Sequence, residues 1–195
     1  ILLTHHHNDH IGGVPQLLQR WPGVPVIAPR DECIASATQR VDDGDQIDIG
    51  PWRFTVIGIP GHTRSHVAFH GHDLEGTGLL FCGDTLFSLG CGRMFEGTPA
   101  QMHASLQSLA ALPGETLVCC GHEYTLANAV FATIVDPGNP ALRECAAEVQ
   151  RLRAVGLPSL PVTIASERAC NPFLRCDDPA VRAAVEHHVG QALDS

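Results

Sequence analysis

The feature that most constrains this chain is its opening decapeptide, ILLTHHHNDH. Residues 1–4 have strand character and run straight into a cluster containing His-x-His-x-Asp-His, that is His5, His7, Asp9 and His10. A short loop at the carboxyl end of a strand can aim several imidazoles and a carboxylate at one point, and ligands in layered α/β folds collect at that end. These nitrogen and oxygen donors suit zinc or iron. A tag remnant would not place an aspartate after the histidines and then continue into Ile-Gly-Gly. Because the apolar run starts at Ile1, it reads as the last stretch of a strand whose sheet partners lie ahead of it. The chain therefore reads as a piece of a longer protein.

Three more polar residues stand in one repeated setting. Gly61-His62-Thr63, Gly83-Asp84-Thr85 and Gly121-His122-Glu123 each follow an apolar, strand-like run. The glycine in each lets the backbone turn close to a site. His62, Asp84 and His122 thereby join the candidate ligands. Other histidines read differently: His6 as a supporting or solvated side chain, and His70 and His72 as structural. His66 reads as structural or as a support for a ligand. His103, His187 and His188 read as helix-surface residues.

The net charge of −9 argues against nucleic acid as the main partner, because phosphate binding needs a basic footprint. No apolar run approaches the roughly 20 residues that span a bilayer, so no membrane contact is expected. The amino end lacks the basic region of a signal peptide, and a cytoplasmic location is expected. The eight cysteines are scattered without a C-x-x-C and read as reduced, mostly buried apolar residues.

Periodicity and turn signals predict strands at 24–29, 52–60, 66–71, 79–85 and 116–122, the third and fourth joined by a Gly-rich turn. Helices are expected at 14–21, 31–39 and from Thr98-Pro99 to about Leu112, where a cap residue precedes a proline. After Tyr124 the pattern turns helical, with helices at 125–135, 140–155 and 179–193 and no strand beyond 122.

HHHNDH, GHT, GDT and GHEYT, in that order, resemble the metallo-β-lactamase superfamily. Within it, GDTLFSLGCGRMFEGT, GHEYT and NPFLR at 171–175 are similar to the glyoxalase II family, the hydroxyacylglutathione hydrolases. The resemblance implies an α/β fold, a metallo-β-lactamase-type αββα sandwich that is incomplete at its amino end, with an all-helical C-terminal domain. Residues 1–123 would form the metal-binding catalytic domain and residues 124–195 the substrate-binding one. That family usually finishes with an arginine and a lysine, and neither residue type follows Arg182 here, so the extreme C-terminus also reads as missing.

The same resemblance implies two divalent metal ions, with zinc favoured over iron or manganese. His5, His7 and His62 would hold one, Asp9, His10 and His122 the other, and Asp84 would bridge them. The catalytic group would be a metal-bridging hydroxide held by Asp84 and the two metals, with Asp9 beside it. It would hydrolyse the thioester of S-D-lactoylglutathione to D-lactate and glutathione, in methylglyoxal detoxification. Arg93, Met94, Phe95 and Tyr124 would contact the substrate; some relatives have tyrosine where Phe95 stands. Arg93 has the right chemistry to grip a carboxylate in bidentate fashion. A monomer is expected. The rival readings are a single-iron persulfide dioxygenase of the same superfamily and a non-catalytic, metal-stabilised domain. The full set of ligands, together with GHEYT, favours the hydrolase.

Overall fold

A computed structural model of the chain describes residues 1–72, 76 and 78–190. Its framework is a six-stranded sheet, in the order β10-β9-β6-β5-β4-β3. The strands are β3 (Gln46–Ile49), β4 (Trp52–Gly58), β5 (Val67–His72), β6 (Gly78–Gly83), β9 (Leu117–Cys120) and β10 (Val162–Thr163). Every pairing is antiparallel except β6 with β9, which is parallel and crosses over through α3 (Pro99–Ala110). Two small sheets flank it: a parallel pair of β1 (Ile27–Pro29) and β2 (Gln39–Val41), and a hairpin of β7 (Leu86–Phe87) and β8 (Gly90–Cys91).

Strand alternation sorts the core into two faces. Ala68, Leu80, Cys82 and Val118 point to one side, where Met102, Leu106 and Leu109 of α3 cover them. Val67 and Phe69, with Phe54 and Val56 of β4, point to the other side and pack with Ile27, Val41 and Ile47. Helix α3 starts at a capping box in which Thr98 and Gln101 bond each other's backbone, followed by Pro99 at the first position.

The amino end differs from its expected strand. Leu2 makes one parallel bridge to Ile27, and the chain then leaves the sheet to enter α1 (Asn8–Ile11) and α2 (Val14–Arg20). The helix expected over 31–39 does not form. Two of its carbonyls, those of Asp31 and Ile34, are taken by the Arg40 guanidinium, which also holds that of Pro29. The Asp31 carboxylate meanwhile accepts the Cys33 N–H and closes a turn instead.

The C-terminal region is helical, with α4 (Thr125–Val135), α5 (Pro140–Ala154), α6 (Ile164–Cys170) and α7 (Pro179–Val189). Three of its features lay outside the sequence reading, one of them a single 3-10 turn at Pro172–Leu174. Another is helix α6. The third is β10, only two residues long, which pairs Val162 with Val118 at the sheet edge and sends Ile164 into the main core. Gly190, at φ 71, ends α7; residues 191–193 of the expected last helix lie outside the described residues. The Gly-rich turn expected between β5 and β6 also falls partly outside them. None of the described helices is long and apolar enough to cross a membrane.

Candidate metal centre

The loop after Thr4, α1, and the ends of β6 and β9 converge on one point. His5, His7 and His62 form a first trio, with His7 Nδ1 facing His5 Nε2 at 3.2 Å and His62 Nε2 at 2.9 Å. Asp9, His10 and His122 form a second, in which Asp9 Oδ2 lies 3.2 Å from His122 Nε2 and 3.7 Å from His10 Nε2. Asp84 stands between them. Its Oδ2 is 3.6 Å from His62 Nε2 and 3.3 Å from His122 Nε2, while Oδ1 is 3.2 Å from His10 Nε2. The structure thus brings all seven sequence candidates together.

The donor set fits divalent metal. Five imidazoles and two carboxylates face one another with no arginine side chain among them. His10 Nε2 and Asp84 Oδ1 are buried without a hydrogen-bond partner despite their proximity, so their lone pairs are left for a third atom. Burial pushes the His5 and His62 imidazoles toward their neutral form, and neighbouring imidazoles push His5 further the same way. Neutral imidazole is the form that binds metal. Burial also pushes the Asp84 carboxyl up, but contact with His10 and the nearby His122 and His62 outweigh it and hold the group ionised. The Asp84 contact raises the His10 pKa.

A second layer orients these ligands. His62 Nδ1–H donates to the Arg93 carbonyl at 2.7 Å, which leaves the His62 Nε2 lone pair free. His5 Nδ1 meets Thr4 Oγ1 at 3.1 Å. His66, stacked on His5 at 4.5 Å, accepts the Asp84 backbone N–H at Nε2 and gives its Nδ1–H to the Val67 carbonyl. Burial drives the His66 pKa down to about 3, so the ring stays neutral in that double role. His6 turns away from the centre and bonds Asp31 Oδ2 at 2.8 Å, an oxygen that also accepts from Ser65.

Two glycines are required by close approach. A Cβ on Gly83, whose φ is +49, would lie 2.5 Å from Thr4 Oγ1; one on Gly121 would lie 2.5 Å from Asp84 Oδ1.

The centre opens into a cleft of about 630 Å³, walled by Phe87, Arg93, Phe95 and Tyr124. Arg93 is exposed, with its guanidinium 6.0 Å from the Phe95 ring. Phe95 is also exposed and sets its edge against His7 and His62. Tyr124 stacks on His122 at 4.9 Å, with 51% of its surface exposed, so it is not a core residue. Strand β9 ends at Cys120, and Tyr124 stands at the N-cap of α4. Met94 does not belong to this cleft. It lines a separate cavity of about 270 Å³ with Met102, Leu106 and Phe173. Phe87, which sequence reasoning missed, lines the cleft and meets Tyr124 edge-on at 5.3 Å. Its only sequence signal was its position three residues after Asp84.

The helical region holds the hairpin that carries Phe87. Asn171 Nδ2 donates to the carbonyls of Phe87 and Gly90 and to Glu167 Oε2. Asn128 donates to the Ser88 carbonyl, and Glu167 accepts the Leu89 N–H. The Asn171 of the NPFLR motif thus has a definite task.

Comparison with known proteins agrees with this geometry. Residues 1–122 match the family model described as Metallo-beta-lactamase superfamily, and residues 123–194 match Hydroxyacylglutathione hydrolase C-terminus. A hydroxyacylglutathione hydrolase of Xylella fastidiosa (strain M23) is 58% identical over 189 residues, covering 97% of this chain and 71% of that protein. One from Xanthomonas axonopodis pv. citri (strain 306) is 56% identical, covering 100% of this chain and 74% of that protein. Among solved structures, ETHE1 from Myxococcus xanthus superposes with a TM-score of 0.61 at 28% identity, over 88% of this chain and 60% of that one. TTHA1623 in a di-iron-bound form gives 0.59 at 26%, over 89% and 76%. With this identity across nearly all its residues, and a donor set suited to divalent metal, the chain belongs to the hydroxyacylglutathione hydrolases, thioester hydrolases of the metallo-β-lactamase superfamily.

Proposed function

We propose that this chain hydrolyses S-(2-hydroxyacyl)glutathione, typically S-D-lactoylglutathione, to the 2-hydroxy acid and glutathione at a centre of two zinc ions. His5, His7 and His62 would hold one ion, Asp9, His10 and His122 the other, with Asp84 shared. The observation that carries the reading is the position of Asp84, which faces both trios beneath an open cleft. Bound zinc would supply Lewis acidity and water that is deprotonated near neutral pH.

The chain's own residues do the rest. Asp84 and Asp9 place negative charge beside the attacking water and keep the centre from becoming too cationic. Arg93 grips a carboxylate of the glutathione part, and Phe87, Phe95 and Tyr124 give the remainder an apolar wall that limits water. A thiol of pKa about 8.5 leaves as its anion, so no side chain need act as general acid. In this reading residues 1–123 carry the metal chemistry and residues 124–195 support the substrate. The enzyme would be a cytoplasmic monomer acting in methylglyoxal detoxification.

A single-iron persulfide dioxygenase would have no use for the second trio. Metal analysis of the purified chain, combined with a lactoylglutathione assay, separates the two. Two divalent ions per chain with thiol release are expected. One iron per chain, with oxygen consumed on glutathione persulfide, would replace this reading.

A further inference from the structure

Away from the metal centre, Cys145 on α5 and Cys170 at the end of α6 bring their sulfurs to 2.8 Å, although 25 positions separate them in the chain. A disulfide bond is about 2.05 Å long, so joining them asks for less than about 1 Å of movement. We propose that Cys145 and Cys170 are a reactive thiol pair that a hydroperoxide closes into an intrachain disulfide.

Cys145 is the sulfur that meets the oxidant. It is half-buried and lines a cavity of about 340 Å³, whereas Cys170 is buried. Cys145 Sγ faces Cys170 Sγ at 2.8 Å and Ser166 Oγ at 3.7 Å; the Cys170 contact foremost, helped by Ser166 and opposed by burial, lowers the Cys145 pKa and favours its thiolate. The thiolate is the nucleophilic form. Elsewhere burial pushes the thiols the other way, Cys91 to about 12 and Cys120 to about 11. Glu144, Glu148 and Glu167 line the same cavity. A small neutral oxidant therefore enters more readily than an anionic one such as glutathione disulfide.

The steps balance. The Cys145 thiolate attacks one peroxide oxygen, the O–O bond breaks, and the other oxygen leaves as hydroxide and takes up a proton. The Cys145 sulfenic acid is then attacked by Cys170, which gives up its proton as the S–S bond forms and the second oxygen departs as water. Two thiols and one hydrogen peroxide become one disulfide and two waters. The bond would tie α5 to the residue beside Asn171, so the oxidised chain should melt at a higher temperature than the reduced one.

The test uses the full reduced chain and one equivalent of hydrogen peroxide, followed by alkylation and trypsin. The chain has no lysine, and cleavage at Arg143, Arg151, Arg168 and Arg175 places the two sulfurs on peptides 144–151 and 169–175. The expected result is these two peptides joined, separable by dithiothreitol, with two of the eight thiols lost to alkylation. Cys170→Ser should stop at a Cys145 sulfenic acid that dimedone traps; in Cys145→Ser, Cys170 should keep its thiol. The proposal is overturned if both peptides stay separately alkylated while other cysteines oxidise, or if Cys145 joins a different cysteine. A parallel arm with glutathione disulfide should close the pair more slowly; faster closure there would overturn the hydroperoxide assignment.

Discussion

Glu167 accepts the backbone N–H of Leu89 at 2.9 Å, across 78 positions of chain. Leu89 is the one non-glycine residue with positive φ among the described residues, at 58°. A leucine in that region costs on the order of 1–2 kcal/mol, and a buried carboxyl bonded to its N–H offsets the cost. Glu167 also receives Asn171 Nδ2, which holds Phe87 and Gly90. One buried acid in the helical region thus fixes the turn that presents Phe87 to the metal cleft.

Glu167→Ala should destabilise the chain by about 1–3 kcal/mol in urea unfolding, because it leaves the buried Leu89 N–H unpaired. It should also raise KM for the thioester through the loosened hairpin. Glu167→Gln should lose less of both.

The same residue gives a pH signature. Burial pushes the Glu167 pKa from 4.5 up to about 7. Its protonated form is therefore the one folding favours. That contribution is complete below about pH 4.5 and is lost as pH rises through about 7. Between pH 5 and 8, stability should fall more steeply in the wild type than in Glu167→Gln; parallel curves would show that Glu167 does not titrate there.

Asp84→Asn should reduce bound metal and cut kcat/KM by at least about 100-fold, more than loss of any other single ligand, since Asp84 faces both trios. Two ions and normal turnover in this variant would remove its bridging role.

Arg93→Ala should raise KM by about 10- to 150-fold with little change in kcat, the loss expected for one hydrogen bond to a charged group. The Arg93 carbonyl that orients His62 is backbone and survives the substitution. A change confined to kcat would move Arg93 to the reacting carbonyl.

Gly121→Ala should lower metal content while leaving the sheet folded, as checked by metal analysis and circular dichroism. Its Cβ would press within 2.5 Å of Asp84 Oδ1.

The ligand-bearing loops were legible in the sequence because each is local: an apolar run, a glycine and a polar donor lie within a few residues. Strands β4, β5, β6 and β9 and helices α3, α4 and α5 were legible for the same reason of period and capping. What escaped depends on distant partners. The stretch 31–39 has helix-compatible residues, but Arg40 and Asp31 commit its backbone and side chains elsewhere. Strand β10 is too short to carry a period and exists because β9 offers an edge. Phe87 escaped because its direction follows from the hairpin, whose conformation is set by Glu167 and Asn171 some 80 residues later. The support His66 gives Asp84 is not legible locally, because the backbone N–H it accepts lies 18 positions away.

The most direct measurement is the rate of thiol release from S-D-lactoylglutathione as zinc is titrated into chain stripped by a chelator. The account predicts no turnover without metal and activity that rises until two zinc ions are bound per chain. Saturation at one ion, or no thiol release with both trios filled, would contradict it.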